Sequence, residues 1–260
     1  MPEKFRAWDD YFIPGTTVLK NKLGETDPVR LSAAEEAIAA IRLDELAAHP
    51  IDGAFDYDHM KAIHRHIFQD VYEWAGQERV GPDSFMTKEG HAYYPGPQIA
   101  ADAEKQYEKL ADADLLRGLL QEKFVEELAE YWGELNVIHS FREGNTRTQF
   151  VFFSQLAEQA GYVIDTKPFA VGQALRDEFV QARFHSQDTG SNTRLQDVLG
   201  RVITPAVPQL SAEQQEIQNL RVAMFPLPAA EAVRHRPVAP EASPTQGLSI
   251  SVERSPEAEM

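Results

Sequence analysis

The stretch HSFREGNTR, residues 139–147, decides how this chain is interpreted. It is polar and contains a glycine, and it lies between two segments whose apolar residues recur with the period of an α-helix. Such a loop lies beside the unpaired backbone N–H groups of the second helix, which attract anions together with the helix dipole. Gly144 allows a positive φ or a close approach of the backbone to an anion. The loop therefore predicts an anion site at the start of a helix.

The side chains of this loop supply matching chemistry. Asn145 can cap the helix and donate to an oxyanion, and Arg147 offers a planar fork that fits phosphate oxygens. Glu143 provides a hard oxygen ligand of the kind that Mg²⁺ accepts beside phosphate. His139 carries an imidazole whose pKa suits proton abstraction near neutral pH. A base, a metal ligand and an anion site in one short loop predict the transfer of a phosphate-linked group to a hydroxyl.

Simpler explanations of the histidines stay open at this point. His139 and Glu143 have a spacing that two zinc ligands on a helix can have, but no obvious third ligand follows and the glycine would be unexplained. The loop can also be a purely structural helix cap with His139 in the core. His64 and His66 point to different sides of a helix, so we expect packing or solvent roles for both, and His91 is a weak candidate.

The composition excludes several classes of protein. The chain has 260 residues, with 25 Lys and Arg against 41 Asp and Glu, a net charge of −16 and no cysteine. The missing thiols exclude a disulfide scaffold and a cysteine nucleophile, and the negative charge argues against a nucleic-acid partner. No apolar run reaches the roughly 18 residues of a membrane span, and no signal peptide is visible. We expect a cytoplasmic protein, or one that a secretion system delivers into another cell.

Helical periodicity extends on both sides of the loop. The apolar spacing and the positions of Pro and Gly predict helices at about residues 31–48, 56–74, 99–113, 115–137, 146–159, 168–184 and 192–202. The Gly- and Pro-rich segment 77–97 predicts a β-hairpin flap. We therefore predict a mainly α fold with a small hairpin. Residues 1–203 would form one domain, 204–225 a short helical extension and 226–260 a Pro-rich disordered tail.

The loop resembles the signature of the Fic family, HPFx(D/E)GNxRxxR. Three further stretches are similar to segments typical of Fic domains: Tyr11–Leu23, Val71–Arg79 and the flap at Phe85–Pro97. Together they extend the resemblance over about residues 8–200. The resemblance implies a mostly helical Fic fold that transfers AMP from ATP to a Ser, Thr or Tyr hydroxyl of a target protein.

The resemblance also implies a role for each matching residue. His139 would deprotonate the attacking hydroxyl, and Glu143 would hold a Mg²⁺ that bridges the α- and β-phosphates. Phe141 would be buried beneath the loop, and Lys88 would add a contact to the nucleotide. The phosphates would be bound by Gly144, Asn145, Thr146 and Arg147. The flap would align the target by strand pairing. The flap residues expected to contact it are Phe85, Met86, Thr87 and Tyr93.

The chain departs from the Fic signature at three positions. Ser140 stands in place of the proline, Thr146 where glycine is commonest, and Phe150 in place of the final arginine, which in the family helps to hold the γ-phosphate. These changes leave open a donor of UMP, phosphocholine or phosphate, and a non-catalytic binding module. The family's inhibitory motif, (S/T)xxxE(G/N), is absent from the sequence. A separate small antitoxin would therefore supply that helix, or the control is missing.

Overall fold

The computed structural model of the chain describes residues 5–80, 86–88 and 90–206. For Lys88 it describes the backbone alone. The described residues belong to one compact unit that ends at Val207. Phe85, the predicted tail at 226–260 and nearly all of the predicted extension at 204–225 lie outside the described residues.

Helices account for most of the described residues, which confirms the predicted mainly α class. In chain order they are α1 Pro28–Ala48, α2 Tyr57–Phe68, α3 Ile99–Asp112, α4 Gln121–Ile138, α5 Asn145–Ala160, α6 Ala174–Thr189 and α7 Thr193–Gly200. Short 3₁₀ turns occupy Trp8–Tyr11, Gly96–Gln98, Asp114–Leu116 and Lys167–Phe169. In this described part, no helix is both long and apolar enough to cross a membrane.

Two pairs of short antiparallel strands complete the fold. The predicted hairpin is confirmed: β1, Met86–Lys88, pairs with β2, His91–Tyr93. The sequence patterns do not predict the second pair, in which β3, Tyr162–Ile164, follows α5 and pairs with β4, Ile203–Pro205. In both pairs the first residue of one strand lies opposite the last residue of the other. Strands of three residues are too short for an alternation of polar and apolar side chains to be recognised.

Helix α1 begins after a side-chain cap, Asp27. The Asp27 side chain accepts hydrogen bonds from the N–H groups of Val29 and Arg30, both at 2.9 Å. The apolar residues of this helix are only a partial guide to its buried side, because Ile41 is 61% exposed whereas Ala39 is buried. An alanine-rich helix carries little information about which of its sides is buried, since alanine is found in both environments.

Helix α2 is shorter than predicted. It ends at Phe68 rather than at Trp74, and the chain then forms turns in which Val71 N–H and Tyr72 N–H donate to the Phe68 carbonyl oxygen. Val71 and Trp74, which lie in the part of the predicted helix beyond Phe68, are nevertheless buried. The apolar spacing thus continues past the end of the helix, because periodicity reports burial and a tight turn can preserve it.

Two further helices begin later than predicted. The helix expected from residue 115 starts at Gln121, because residues 114–116 all have positive φ and turn the chain. The helix expected from residue 168 starts at Ala174, after a 3₁₀ turn. Since positive φ at a non-glycine residue has no simple sequence signal, composition alone could not locate the first of these turns.

The arrangement of the helices places the loop between α4 and α5 at a junction. Helix α2 packs against α1 and α5, while α4 packs against α3, α5, α6 and α7. Helix α6 also contacts strand β2 of the hairpin. The large aromatic rings of Trp74 and Trp132 are buried in the shared core. Residues 139–144 therefore lie where α4, which contacts α6 and the hairpin, meets α5, which contacts α2.

Candidate active site

His139 is the cap residue at the end of α4. Its backbone is left-handed, with φ 51° and ψ 62°, and its N–H donates to the Leu135 carbonyl oxygen at 3.2 Å. This conformation turns the chain sharply out of the helix. The imidazole lies against the ring of Tyr93 on β2, with 4.1 Å between the ring centroids. The hairpin therefore helps to hold the predicted base in place.

Arg79 fixes the backbone around His139. This side chain is 1% exposed, and its Nε donates to the His139 carbonyl oxygen at 2.7 Å. Its Nη2 donates to the Tyr94 carbonyl oxygen at 2.6 Å, and its backbone N–H donates to the Ser140 carbonyl oxygen at 2.8 Å. Burial lowers the pKa of Arg79 to about 10, so the guanidinium stays charged at neutral pH. One arginine thus ties the predicted base to the hairpin. The sequence patterns do not predict this role.

Asn145 closes the loop onto itself. Its Oδ1 accepts from the Phe141 N–H at 2.9 Å, and its Nδ2 donates to the Phe141 carbonyl oxygen at 2.7 Å. Phe141 is buried, in agreement with the expectation from the resemblance. Because both ends of the Asn145 amide are engaged, its side chain holds the loop, and its backbone N–H is what remains for an anion.

Gly144 is required by close packing as well as by its conformation. Its φ is 82°, and a Cβ at this position would lie 2.2 Å from Cε2 of Phe68. No side chain fits there without displacing a ring of the buried core. Phe68 therefore lies directly beneath the turn that begins α5.

His64 supports the loop from α2. Its Nδ1 accepts from the Gly76 N–H at 2.8 Å, so the proton is on Nε2, which donates to the Glu143 carbonyl oxygen at 3.0 Å. The ring stacks on Phe141 with 3.9 Å between centroids. Burial lowers the pKa of His64 to about 3, so the ring is neutral. The packing role expected for His64 is confirmed, and the structure adds that the ring supports the loop, whereas His66 contacts Glu45.

The first turn of α5 presents backbone N–H groups at the loop. Thr148 N–H closes the helical ring on the Gly144 carbonyl oxygen, whereas the N–H groups of Asn145, Thr146 and Arg147 have no acceptor among the described residues. Gly144 N–H donates to Oε1 of Glu143 at 3.0 Å. This is the electropositive helix start that the sequence predicts.

Arg147 is paired with a carboxylate that sequence reasoning missed. Its Nη2 donates to Oε1 of Glu35 on α1, and its guanidinium lies 4.7 Å from the Phe68 ring centroid. The second Glu35 oxygen accepts from the Tyr72 hydroxyl. Burial and the nearby Glu35 raise the pKa of Tyr72. Glu35 lies far from the loop in the sequence, on a helix whose pattern predicts only packing, so no sequence signal points to it.

Comparisons with known proteins agree with this geometry. A sequence model described as the Fic/DOC family matches residues 54–157. The probable protein adenylyltransferase Fic of Salmonella typhimurium is 37% identical over 173 residues, which are 66% of this chain and 84% of that protein. The chain belongs to the Fic/DOC family.

Two other similar proteins extend the comparison to longer relatives and to solved structures. The protein adenylyltransferase VbhT of Bartonella schoenbuchensis is 46% identical over 157 residues, which are 60% of this chain but 32% of VbhT. The match thus spans about a third of that relative. The crystal structure of BepC, a VirB-translocated effector of Bartonella tribocorum with bound AMPPNP, superposes with a TM-score of 0.69 at 26% identity. It covers 76% of this chain and 98% of BepC, which confirms the Fic fold.

Ser140, which replaces the proline of the Fic signature, belongs to a polar network beneath the loop. Its side chain is buried near the Tyr57 hydroxyl, which donates to the Glu78 carboxylate at 3.1 Å. Burial raises the pKa of both Tyr57 and Glu78. A serine thus places a buried hydroxyl near Tyr57 that the proline of the signature lacks, and it also adds backbone freedom to the loop.

The two other departures from the Fic signature lie on one face of α5. Thr146 accepts from Nη1 of Arg183 on α6 through its hydroxyl, at 3.0 Å. Phe150, one turn later, packs against Trp132 and Phe179 at 5.0 and 5.1 Å between centroids. Phe150, which replaces the last arginine of the signature, thus packs into an aromatic cluster. The guanidinium on this side of α5 belongs to Arg183 of α6.

The flap residues have unequal positions in this Fic domain. Thr87 is exposed and Met86 half-buried on β1, whereas Tyr93 is 1% exposed and faces His139. Tyr93 thus supports the imidazole rather than offering its ring to a target. Phe85 and the Lys88 side chain lie outside the described residues, so their predicted contacts stay predictions.

Proposed function

We propose that this chain is a protein adenylyltransferase, which transfers AMP from ATP to a hydroxyl side chain of a target protein. The observation that carries the proposal is the pairing of His139 with the open start of α5 in one rigid loop. The relatives named protein adenylyltransferase and the AMPPNP bound by BepC support the same activity and the same nucleotide class.

The proposed reaction uses His139 as the base. Its imidazole takes the proton of the target hydroxyl, and the hydroxyl oxygen attacks the α-phosphorus of ATP. The bond from the α-phosphorus to the bridging oxygen breaks, and pyrophosphate leaves with the electron pair. The N–H groups of residues 145–147 stabilise the charge on the phosphate oxygens, and Arg147 exchanges Glu35 for phosphate.

Glu143 is the residue that we propose as the ligand of a magnesium ion. One of its carboxylate oxygens accepts from Gly144 N–H, and the other has no hydrogen-bond partner in the described residues. The described chain has no cluster of three or more acidic or histidine residues that could hold a metal. Mg²⁺ is ordinarily bound by one or two carboxylates, phosphate oxygens and water, which fits this single carboxylate. The ion would neutralise charge on the phosphates.

The hairpin is the proposed platform for the target segment. Strand β1 pairs with β2 on one side, and among the described strands nothing pairs with its other edge. An extended target segment could add to that edge through backbone hydrogen bonds. The short distance from β2 to His139, through Tyr93, would then bring the target hydroxyl to the base.

The remaining proposals concern organisation and control. We propose a catalytic domain through residue 203, a short extension and a tail, as the composition of the sequence indicates. The absence of the inhibitory motif from the sequence supports a separate antitoxin as the regulator. The VirB translocation of BepC supports our proposal that this chain is delivered into another cell.

The donor can be tested by the position of the label. The protein is incubated with a cell lysate and with ATP labelled at either the α- or the γ-phosphate, with His139→Ala as the blank. We expect the label that is lost in the His139→Ala blank to come from α-labelled ATP and not from γ-labelled ATP. Label from the γ-phosphate would indicate a kinase, and a preference for UTP or CDP-choline would indicate another donor, as the unusual Phe150 leaves open. No His139-dependent label with any donor would contradict a catalytic role.

A further inference from the structure

Arg183 is a buried cation that has no carboxylate partner within the described part of the chain. It lies on α6, is 8% exposed, and its Nε donates to Oδ1 of Asn136 at 2.8 Å. Its Nη1 donates to the Thr146 hydroxyl at 3.0 Å, and the guanidinium lies 5.4 Å from the Phe179 ring centroid. Among the described residues, Arg183 forms no ion pair, and its Nη2 has no hydrogen-bond acceptor.

Such an arrangement is costly for folding alone. A buried charge is normally compensated by an opposite charge, because the cost of taking it out of water is otherwise not recovered. Burial lowers the pKa of Arg183 to about 10, which still leaves it protonated at neutral pH. A buried, charged side chain that lacks a counter-ion beside a helix start is a candidate for binding an anionic ligand.

The position of Arg183 completes the predicted phosphate site. Thr146, its hydrogen-bond partner, is the second residue of α5 and carries one of the N–H groups that have no acceptor in the described chain. Arg147 leaves the same turn toward Glu35 on α1. Two guanidinium groups therefore flank the start of α5, one from the α1 side and one from the α6 side.

The geometry of α5 explains why the second cation comes from α6. Thr146 and Phe150 are four residues apart and share a face of the helix, and side chains on a helix lean toward its N-terminus. A long side chain at position 150 would thus extend toward Thr146. Phe150 is instead packed among aromatic rings, and the guanidinium of Arg183 lies at Thr146.

We propose that Arg183 is a second phosphate-binding residue, whose Nη2 binds the β- and γ-phosphates of the nucleotide donor. Thr146 orients the guanidinium by accepting from Nη1 and keeps it beside the backbone N–H groups. The inference rests on the proposed function, since it requires a nucleoside triphosphate in this site. It also gives a role to Thr146, which stands at the position where glycine is commonest in the signature.

The test compares ATP with AMP, which lacks the phosphates that Arg183 would bind. Dissociation constants for both are measured by calorimetry with the full chain, with Arg183→Met, and with Arg176→Met as the control. Arg176 is an exposed arginine on the same helix. We expect Arg183→Met to weaken ATP binding by about 10- to 100-fold and AMP binding by less than about 3-fold. We expect Arg176→Met to change neither.

The outcomes separate this inference from the proposed function. Suppose that the unaltered chain binds ATP. If Arg183→Met then weakens ATP and AMP binding by the same factor, or weakens neither, the inference is wrong and the proposed function stands. If the unaltered chain binds no ATP, both are overturned. Arg183→Met leaves Asn136 Oδ1 and the Thr146 hydroxyl without this donor, so we expect its melting temperature to fall slightly. A purely structural role of Arg183 would lower the affinity for ATP and for AMP by the same factor. Should Arg183→Met fail to fold, the ATP to AMP ratio of Arg183→Lys decides, with an expected loss of about 3- to 10-fold for ATP alone.

Discussion

His64 supports the loop from α2 and His139 is the first residue of that loop, yet their environments suit them to opposite tasks. His64 is 0% exposed, and both of its ring nitrogens are bonded to backbone groups, so the ring is a neutral support. His139 is held through its backbone, by Arg79 and by the helix end, and its ring packs against the hairpin. Because other residues hold the backbone of His139, its imidazole does not have to support the loop and can act as the base. The supporting ring and the reacting ring are therefore different residues.

The largest difference should appear when each histidine is replaced in turn. We expect His139→Asn to reduce AMP transfer by about 10²- to 10⁴-fold, because asparagine cannot take the proton. Asparagine tolerates the left-handed backbone, so the fold should be retained. Transfer of α-labelled AMP and thermal unfolding measure the two effects. Full activity in His139→Asn would show that the base lies elsewhere.

His64→Ala should give the reverse pattern. It leaves the Gly76 N–H and the Glu143 carbonyl oxygen without their buried partner and removes the ring that stacks on Phe141. We expect the free energy of unfolding to fall by about 3 kcal/mol, with a smaller loss of activity of about 10-fold in the folded fraction. Urea unfolding measures the first and transfer at low temperature the second. A stable His64→Ala with no activity would contradict the division between the two histidines.

The position of the loop is predictable from the sequence because its chemistry is local. Gly144 and His139 are recognised within a single short segment, as are the helices before and after it. The residues that support the loop cannot be found in this way. Arg79, Glu35 and Arg183 are far from the loop in the sequence. Their neighbours in the sequence do not distinguish them from ordinary charged residues on the surface. Only the fold brings their side chains to it.

Acid should destabilise the protein through His64. Its pKa is about 3 in the fold and about 6.5 in the unfolded chain, so the unfolded state binds the proton first as the pH falls. Stability is therefore complete above about pH 6.5 and declines as the pH falls toward about 3, by up to about 1.4 kcal/mol per unit. At pH 5 the loss from this group is about 2 kcal/mol.

His64→Gln isolates this effect, since glutamine keeps a hydrogen-bonding side chain but does not titrate. Urea unfolding of both proteins at pH 7.5 and pH 5 should show a loss about 2 kcal/mol larger for the unaltered chain. The pKa of His59 is also lowered by burial, but this residue is present in both proteins and cancels in the difference. Equal losses in both proteins would mean that His64 is not the acid-sensitive group.

The smallest effect is expected from His66, which lies two residues after His64 on α2. Its Nε2 is 3.1 Å from the Glu45 carboxylate, and its side chain is 28% exposed. Surface pairs of this kind contribute little, because water screens the charges and ordering two side chains costs entropy. We expect His66→Ala to change the melting temperature by less than about 2 °C and to leave AMP transfer unaltered. His64 and His66 point to different sides of α2, so only His64 should support the loop. A change in His66→Ala as large as that in His64→Ala would mean that both histidines support it.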